Sequence, residues 1–210
     1  MANLIKKCVL LSELAYNKEN TIACDNEAFL IKKEGNIIFI AFAGSNDLKD
    51  WVEDSDIKTS FLQKLGVEIH HGFWTSMMQC WFRISFELMS QYTPGNKIII
   101  TGHSKGAAMA FCLRLKLIIK DYPMSDIFVY GYGSPRVVKT NSKNRYNRLY
   151  NINVNLFVNQ GDPVTKLPRE YMGYSTICNN LKVVKVPWYK RIYIIRSLNH
   201  KIKTYTENFG

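Results

Sequence analysis

The chain has 210 residues, 47% hydrophobic and 21% charged, enough to bury one sizeable core and too apolar for a disordered polymer. Its longest apolar run, residues 37–44, is under half of the roughly 18 residues a spanning helix needs, so no membrane-spanning helix is expected. The net charge of +11 comes without a nucleic-acid-binding motif. No nucleic-acid partner is therefore expected, and the charge is read as solvated lysine or as attraction to an anionic membrane surface.

From the start of the chain, residues 4–16 carry Leu4, Val9, Leu11 and Leu14 at spacings that predict an amphipathic helix. After Lys6-Lys7 only Cys8 to Leu11 are apolar before Ser12-Glu13 interrupts, too few for the roughly 7–15 apolar residues of a signal peptide. A cytoplasmic location is expected, with peripheral attachment as the membrane reading of the charge. Residues 28–31 and 37–42 flank the turn Glu34-Gly35-Asn36 and predict a hairpin. Residues 46–64 lack a core pattern and crowd Asp47, Asp50, Glu53, Asp54 and Asp56 around Leu48 and Trp51. Phe73, Met77 and Trp81, with Trp74, Met78 and Phe82, recur at helical spacing on one broad face, read as core packing.

Pro94-Gly95 marks a turn before the apolar run from Lys97 to Thr101. A helix follows over residues 105–120, then strands at 127–130 and 154–158, and a further buried strand is expected at 192–195. Alternating strands and helices predict an α/β fold in one domain spanning 1–210, with a single, mostly parallel sheet flanked by helices. The five cysteines show no Cys-x-x-Cys or metal-ligand spacing, so free thiols in a reducing compartment and no metal are expected. Cys112 falls inside the apolar helix at 105–120 and reads as a small core residue.

The most informative residues are Gly102-His103-Ser104-Lys105-Gly106, a G-x-S-x-G between the strand ending at Thr101 and the helix beginning at Lys105. A serine on such a sharp turn has a strained backbone, and a Cβ two residues away on either side would clash, which accounts for both glycines. The hydroxyl is expected to stand exposed at the carboxyl edge of the sheet. It becomes a nucleophile when a histidine takes its proton and a carboxylate orients that histidine, in the chain order Ser, Asp or Glu, His. Of the four histidines only His200 follows Ser104. Asp121 ends a helix, Asp126 sits at the wrong end of a strand and Glu170 lies beyond a Pro-containing loop. Asp162 follows the strand-like run 154–158 directly and shares the sheet edge with Ser104. The candidate catalytic set is Ser104, Asp162 and His200. His103 is expected to point away from the reacting carbonyl and to be structural, and packing or hydrogen bonding is expected of His70 and His71.

Several stretches in this order resemble the class 3 (fungal-type) lipase family of α/β-hydrolases: residues 11–16, Ile40 to Ser45, Asp50 to Asp54, His70-His71-Gly72-Phe73, Thr101 to Ala108, Tyr130 to Arg136, Val158 to Val164 with Leu167-Pro168, and Asn199-His200. The chain departs from the family pattern at Ala43, where Arg is usual, at Lys105, where an aliphatic residue is usual, and at Ala107, where Gly is usual. The resemblance implies an α/β-hydrolase fold, an ester hydrolase acting on lipid substrates such as acylglycerols, and no cofactor. A phospholipase acting on anionic lipids and a catalytically silent lipase-like binding protein are the alternatives.

The backbone N–H of Lys105, the residue after the nucleophile, is the expected donor to the substrate oxyanion. The second donor implied by the resemblance is Ser45, through its N–H and hydroxyl. Segment 46–64 falls where the family leads into its lid, with a surface loop as the other reading. The Lys105 side chain is the least expected feature, because a cation in the first turn opposes the helix dipole. It is read either as bent into solvent or as a contact for an anionic part of the substrate.

Overall fold

The computed structural model describes residues 2–44, 58–149, 153–178, 180–184 and 200–209. The expected strand at 192–195 and residues 46–57 of the acidic segment lie outside them. Helix α1 (Ala2–Leu14) leads to the strands β1 (Ile22–Cys24), β2 (Glu27–Glu34) and β3 (Ile37–Phe42). Strands β4 (Thr59–Leu62) and β5 (Val67–His70) precede the long helix α2 (His71–Gln91). Then come β6 (Lys97–His103), α3 (Lys105–Ile119), β7 (Ile127–Tyr132), β8 (Val138–Lys139) and α4 (Thr140–Leu149). Strands β9 (Val154–Asn159), β10 (Tyr174–Ser175) and β11 (Asn180–Val184) precede α5 (Ile202–Phe209).

The main sheet has the order β1-β2-β3-β6-β7-β9-β11. The hairpins β1-β2 and β2-β3 are antiparallel, and every pairing from β3 through β6, β7 and β9 to β11 is parallel. The short strands β10-β8-β5-β4 form a second, antiparallel sheet that the expectation of a single sheet did not include. At two to four residues each, they are too short to leave a legible alternation.

The central strands are buried on both faces, as parallel strands between helices are. Along β3, Ile38, Ile40 and Phe42 enter the core shared with α2 and α3, while Phe39 and Ala41 enter the core shared with α1 and α5. Each such large apolar side chain contributes about 1.5–3 kcal/mol of burial. On α2 the buried stripe is Phe73, Met77, Cys80, Ile84 and Leu88, with Trp74, Met78 and Trp81 packed partly against it. Phe82, expected on that face, is instead 76% exposed, because the helix turns it away from the sheet. Cys112 is buried in α3, and all five cysteines are free.

Parallel register brings functional positions to one edge. Phe42 pairs with Gly102, Gly102 with Gly131, and Tyr132 with Phe157. The chain just beyond β3, β6, β7 and β9 therefore emerges side by side at the carboxyl ends of the strands, where open α/β sheets place their sites.

Candidate active site

Ser104 is the turn between β6 and α3. Its backbone sits at φ 57°, ψ −127°, a region that L residues occupy at a cost of about 1–3 kcal/mol and hold only when the surroundings enforce it. The enforcement is visible. The Ser104 N–H donates to the Tyr132 carbonyl at 2.9 Å, and its own carbonyl accepts from the Ala107 N–H at 3.0 Å. A Cβ on Gly102 would lie 2.4 Å from the Gly106 carbonyl, and one on Gly106 would lie 2.5 Å from the Phe42 carbonyl oxygen. The two glycines are thus required by space, as the motif implied. The Ser104 side chain makes no capping bond to α3, although it stands at the N-cap.

Asp162 lies three residues past the end of β9, in a turn where its N–H donates to the Asn159 carbonyl at 3.0 Å. Its Oδ1 accepts from the Val164 N–H at 2.9 Å. Its Oδ2 accepts from His200 Nδ1 at 2.8 Å and from the Tyr205 hydroxyl at 2.5 Å. That arrangement places the His200 proton on Nδ1 and leaves Nε2 as a lone pair. Nε2 is buried and has no hydrogen-bond partner among the described residues. Gly133 packs against this group: a Cβ there would meet Asp162 Oδ2 and the Tyr205 oxygen at 2.9 Å and His200 Cε1 at 3.1 Å.

His103 is buried and linked to both neighbours. Its ring lies 4.6 Å from that of His200, Nε2 meets the His200 carbonyl at 2.5 Å, and Nδ1 meets the Tyr16 hydroxyl at 2.8 Å. Tyr16 in turn accepts from the Gly44 N–H. Because a carbonyl only accepts, His103 donates through Nε2–H, and Nδ1 receives the Tyr16 proton. Burial, reinforced by the neighbouring His200, holds the His103 pKa well below the usual histidine range, so this ring is neutral. Burial likewise raises the Tyr16 pKa. Helix α1 brings Tyr16 here, since Ser12, one turn earlier, is held to Thr101 of β6 at 2.8 Å. The expectation that His103 is structural gains a specific form: it grips the backbone of His200.

The structure brings Asp162 and His200 into contact and sets Ser104 at the same sheet edge. Ser104 is 2% exposed, His200 2% and Asp162 1%, so the expected solvent-exposed hydroxyl is not what this conformation presents. The Lys105 N–H has no acceptor among the described residues, as is usual in the first turn of a helix. Its side chain follows neither expectation: it is 19% exposed, and its ammonium is ion-paired with Glu27. Ser45 lies outside the described residues. His70 is buried against the rings of Phe73 and Tyr174, and exposed His71 hydrogen-bonds Ser60 at 2.9 Å. Sequence reasoning missed Tyr205 and Glu27. The only signal for Tyr205 was an aromatic one helical turn and a residue past the single downstream histidine.

A strained serine between a parallel strand and a helix, with an Asp–His pair from later in the chain, defines an α/β-hydrolase. The description Lipase (class 3) matches residues 39–172, and the chain belongs to that family. It is 28% identical over 161 residues to a lipase of Rhizomucor miehei, covering 74% of this chain and 44% of that one. It is 27% identical over 169 residues to the secreted mono- and diacylglycerol lipase A of Penicillium cyclopium, covering 77% and 53%. The solved triacylglyceride lipase of Rhizomucor miehei superposes with a TM-score of 0.72 at 23% identity, over 82% of this chain and 76% of that one, and shares the fold. The chain spans about half the length of the curated relatives it matches.

Proposed function

We propose that the chain is a serine ester hydrolase acting on acylglycerols through an acyl-enzyme. The observation that carries this reading is the His200 imidazole: Nδ1–H is fixed on Asp162, while Nε2 is buried without a partner among the described residues, at the sheet edge that also carries the strained Ser104. Ser104 Oγ attacks the ester carbonyl as His200 Nε2 removes its proton, and Asp162 stabilises the imidazolium. The carbonyl oxygen becomes an oxyanion and receives the Lys105 N–H; loss of one such donor costs about 3–4 kcal/mol. Collapse expels the alcohol, which takes the proton from His200. Water then repeats the sequence on the acyl-enzyme and releases the fatty acid.

The relatives' acylglycerol substrates support the substrate class. The alternative of a phospholipase for anionic lipids drew on the net positive charge and on the Lys105 cation; Glu27 already pairs with that cation, which leaves only the net charge behind it. The five free cysteines support action in a reducing compartment, and the +11 charge supports attraction to an anionic lipid surface.

The test is a fluorophosphonate probe read by mass spectrometry on wild type and Ser104→Ala, with and without detergent. Covalent labelling confined to wild type and faster in detergent is expected, since the buried serine must be uncovered. No labelling of folded wild type under either condition would leave the silent binding protein as the better account.

A further inference from the structure

We propose that Glu27 and Lys105 form a positioning pair that fixes the Lys105 backbone N–H in its oxyanion-binding orientation; the inference rests on the hydrolase reading above. Glu27 opens β2 and pairs with Cys24 across the β1-β2 hairpin, next to the edge strand of the sheet. Lys105 is the first residue of α3 and follows the nucleophile directly. The ion pair between Lys105 Nζ and Glu27 Oε1 therefore ties the elbow to the start of β2, whose next residue, Ala28, accepts from the Ala43 N–H.

The pair differs from the other ion pairs of this molecule. Its side chains are 19% and 8% exposed. Every other Lys or Arg pair with a carboxylate among the described residues has at least one partner a third or more exposed. On one side of the Glu27–Lys105 pair the thiols of Cys24 and Cys80 share a hydrogen bond, and burial pushes both thiols up; on the other, Glu27 lines an open cleft with Tyr16, Ala43 and Gly44. Stability does not explain such an arrangement. A cation in the first turn opposes the helix dipole, and a buried ion pair is commonly no more stabilising than apolar residues of the same volume. What a largely buried pair does supply is direction, because a charge that leaves its partner gives up the interaction that offsets its loss of water.

Direction is what the adjacent N–H requires. On its far side, Gly106 is pressed against the carbonyls of Phe42 and Ala43 at the end of β3. The peptide carrying the Lys105 N–H is thus braced by backbone contact through Gly106 and by the ion pair through its own side chain. Its N–H remains without an acceptor among the described residues. Glu27 acts through Lys105 and touches no substrate.

The test compares Glu27→Gln, Lys105→Met and the double variant for Tm, for kcat and KM on a soluble nitrophenyl butyrate, and for inhibition by a trifluoromethyl ketone. Each single variant leaves one buried charge unpaired and is expected to lose both Tm and kcat. In the double variant Tm returns toward wild type, while kcat stays about tenfold or more below it with KM within about twofold. Affinity for the trifluoromethyl ketone, which presents an oxyanion, falls by the same factor as kcat/KM. Recovery of kcat together with Tm in the double variant would overturn the proposal and leave a packing role. Should the double variant fail to fold, Glu27→Asp keeps the charge and shortens the arm, and unchanged kcat there would overturn it equally. Absence of fluorophosphonate labelling in wild type is the separate result that removes the hydrolase reading itself.

Discussion

The two halves of the site are held by different forces. On the acid–base side, Asp162 receives donors from Val164, His200 and Tyr205, and the His200 backbone is gripped by His103. On the nucleophile side, the Ser104 side chain makes no capping bond; its backbone is held by two main-chain hydrogen bonds, to Tyr132 and from Ala107, and above all by crowding around Gly102 and Gly106 and by the buried pair beside it. Hydrogen-bonded groups can be weakened one bond at a time. Crowded backbone has no such gradation, so the two halves are expected to fail differently.

The largest effect should come from Asp162→Asn, which keeps the shape but removes the charge that holds the Nδ1–H tautomer. A fall of about 10⁴ in kcat is expected from steady-state kinetics, with a smaller loss of Tm by calorimetry because the donors to Oδ2 lose their charged acceptor. Gly106→Ala should do the reverse. A methyl 2.5 Å from the Phe42 carbonyl oxygen must displace β3 or the elbow, with a stability loss of about 1–3 kcal/mol in denaturant unfolding and a loss of labelling at Ser104. If Gly106→Ala left stability intact, the contrast between the halves would be lost.

Tyr205→Phe removes one of the donors to Asp162 and leaves the buried Asn159 N–H without its hydroxyl acceptor. A hydrogen bond to a charged acceptor contributes about 1.5–3 kcal/mol, so kcat should fall about tenfold or more while Ser104 still labels. The smallest effect concerns pH. The folded state keeps His103 neutral, whereas an unfolded histidine takes up a proton below about pH 6.5. The unfolded state then binds more protons, and His103 contributes stability that is present above that pH and lost as pH falls through it. His103→Gln should reduce the proton uptake on unfolding near pH 5.5 by about one, measured as the slope of stability against pH.

What could be read from the sequence follows the range of the interactions. The elbow is local: two glycines, a serine, an apolar strand before and an apolar helix after, and the structure builds β6, Ser104 and α3 from them. The position of Asp162 was legible because it follows β9, and strand ends in a parallel sheet share an edge. His200 was the one remaining choice among four histidines. Tyr205 and Glu27 were not legible. Each contacts a residue 43 to 78 positions away, and neither an aromatic in a short C-terminal helix nor an acid at a strand start announces its partner. Phe82 shows a limit of pattern reading: a broad apolar arc covers more of a helix than the sheet below can bury.

The backbone of Ser104 has a consequence for how this chain changes over generations. A glycine would occupy φ 57°, ψ −127° without strain, so a descendant freed from turnover would fold no worse after losing its nucleophile. Drift in such a lineage runs downhill toward glycine at this one position. A serine still standing there is a residue that folding alone gives the chain no reason to keep.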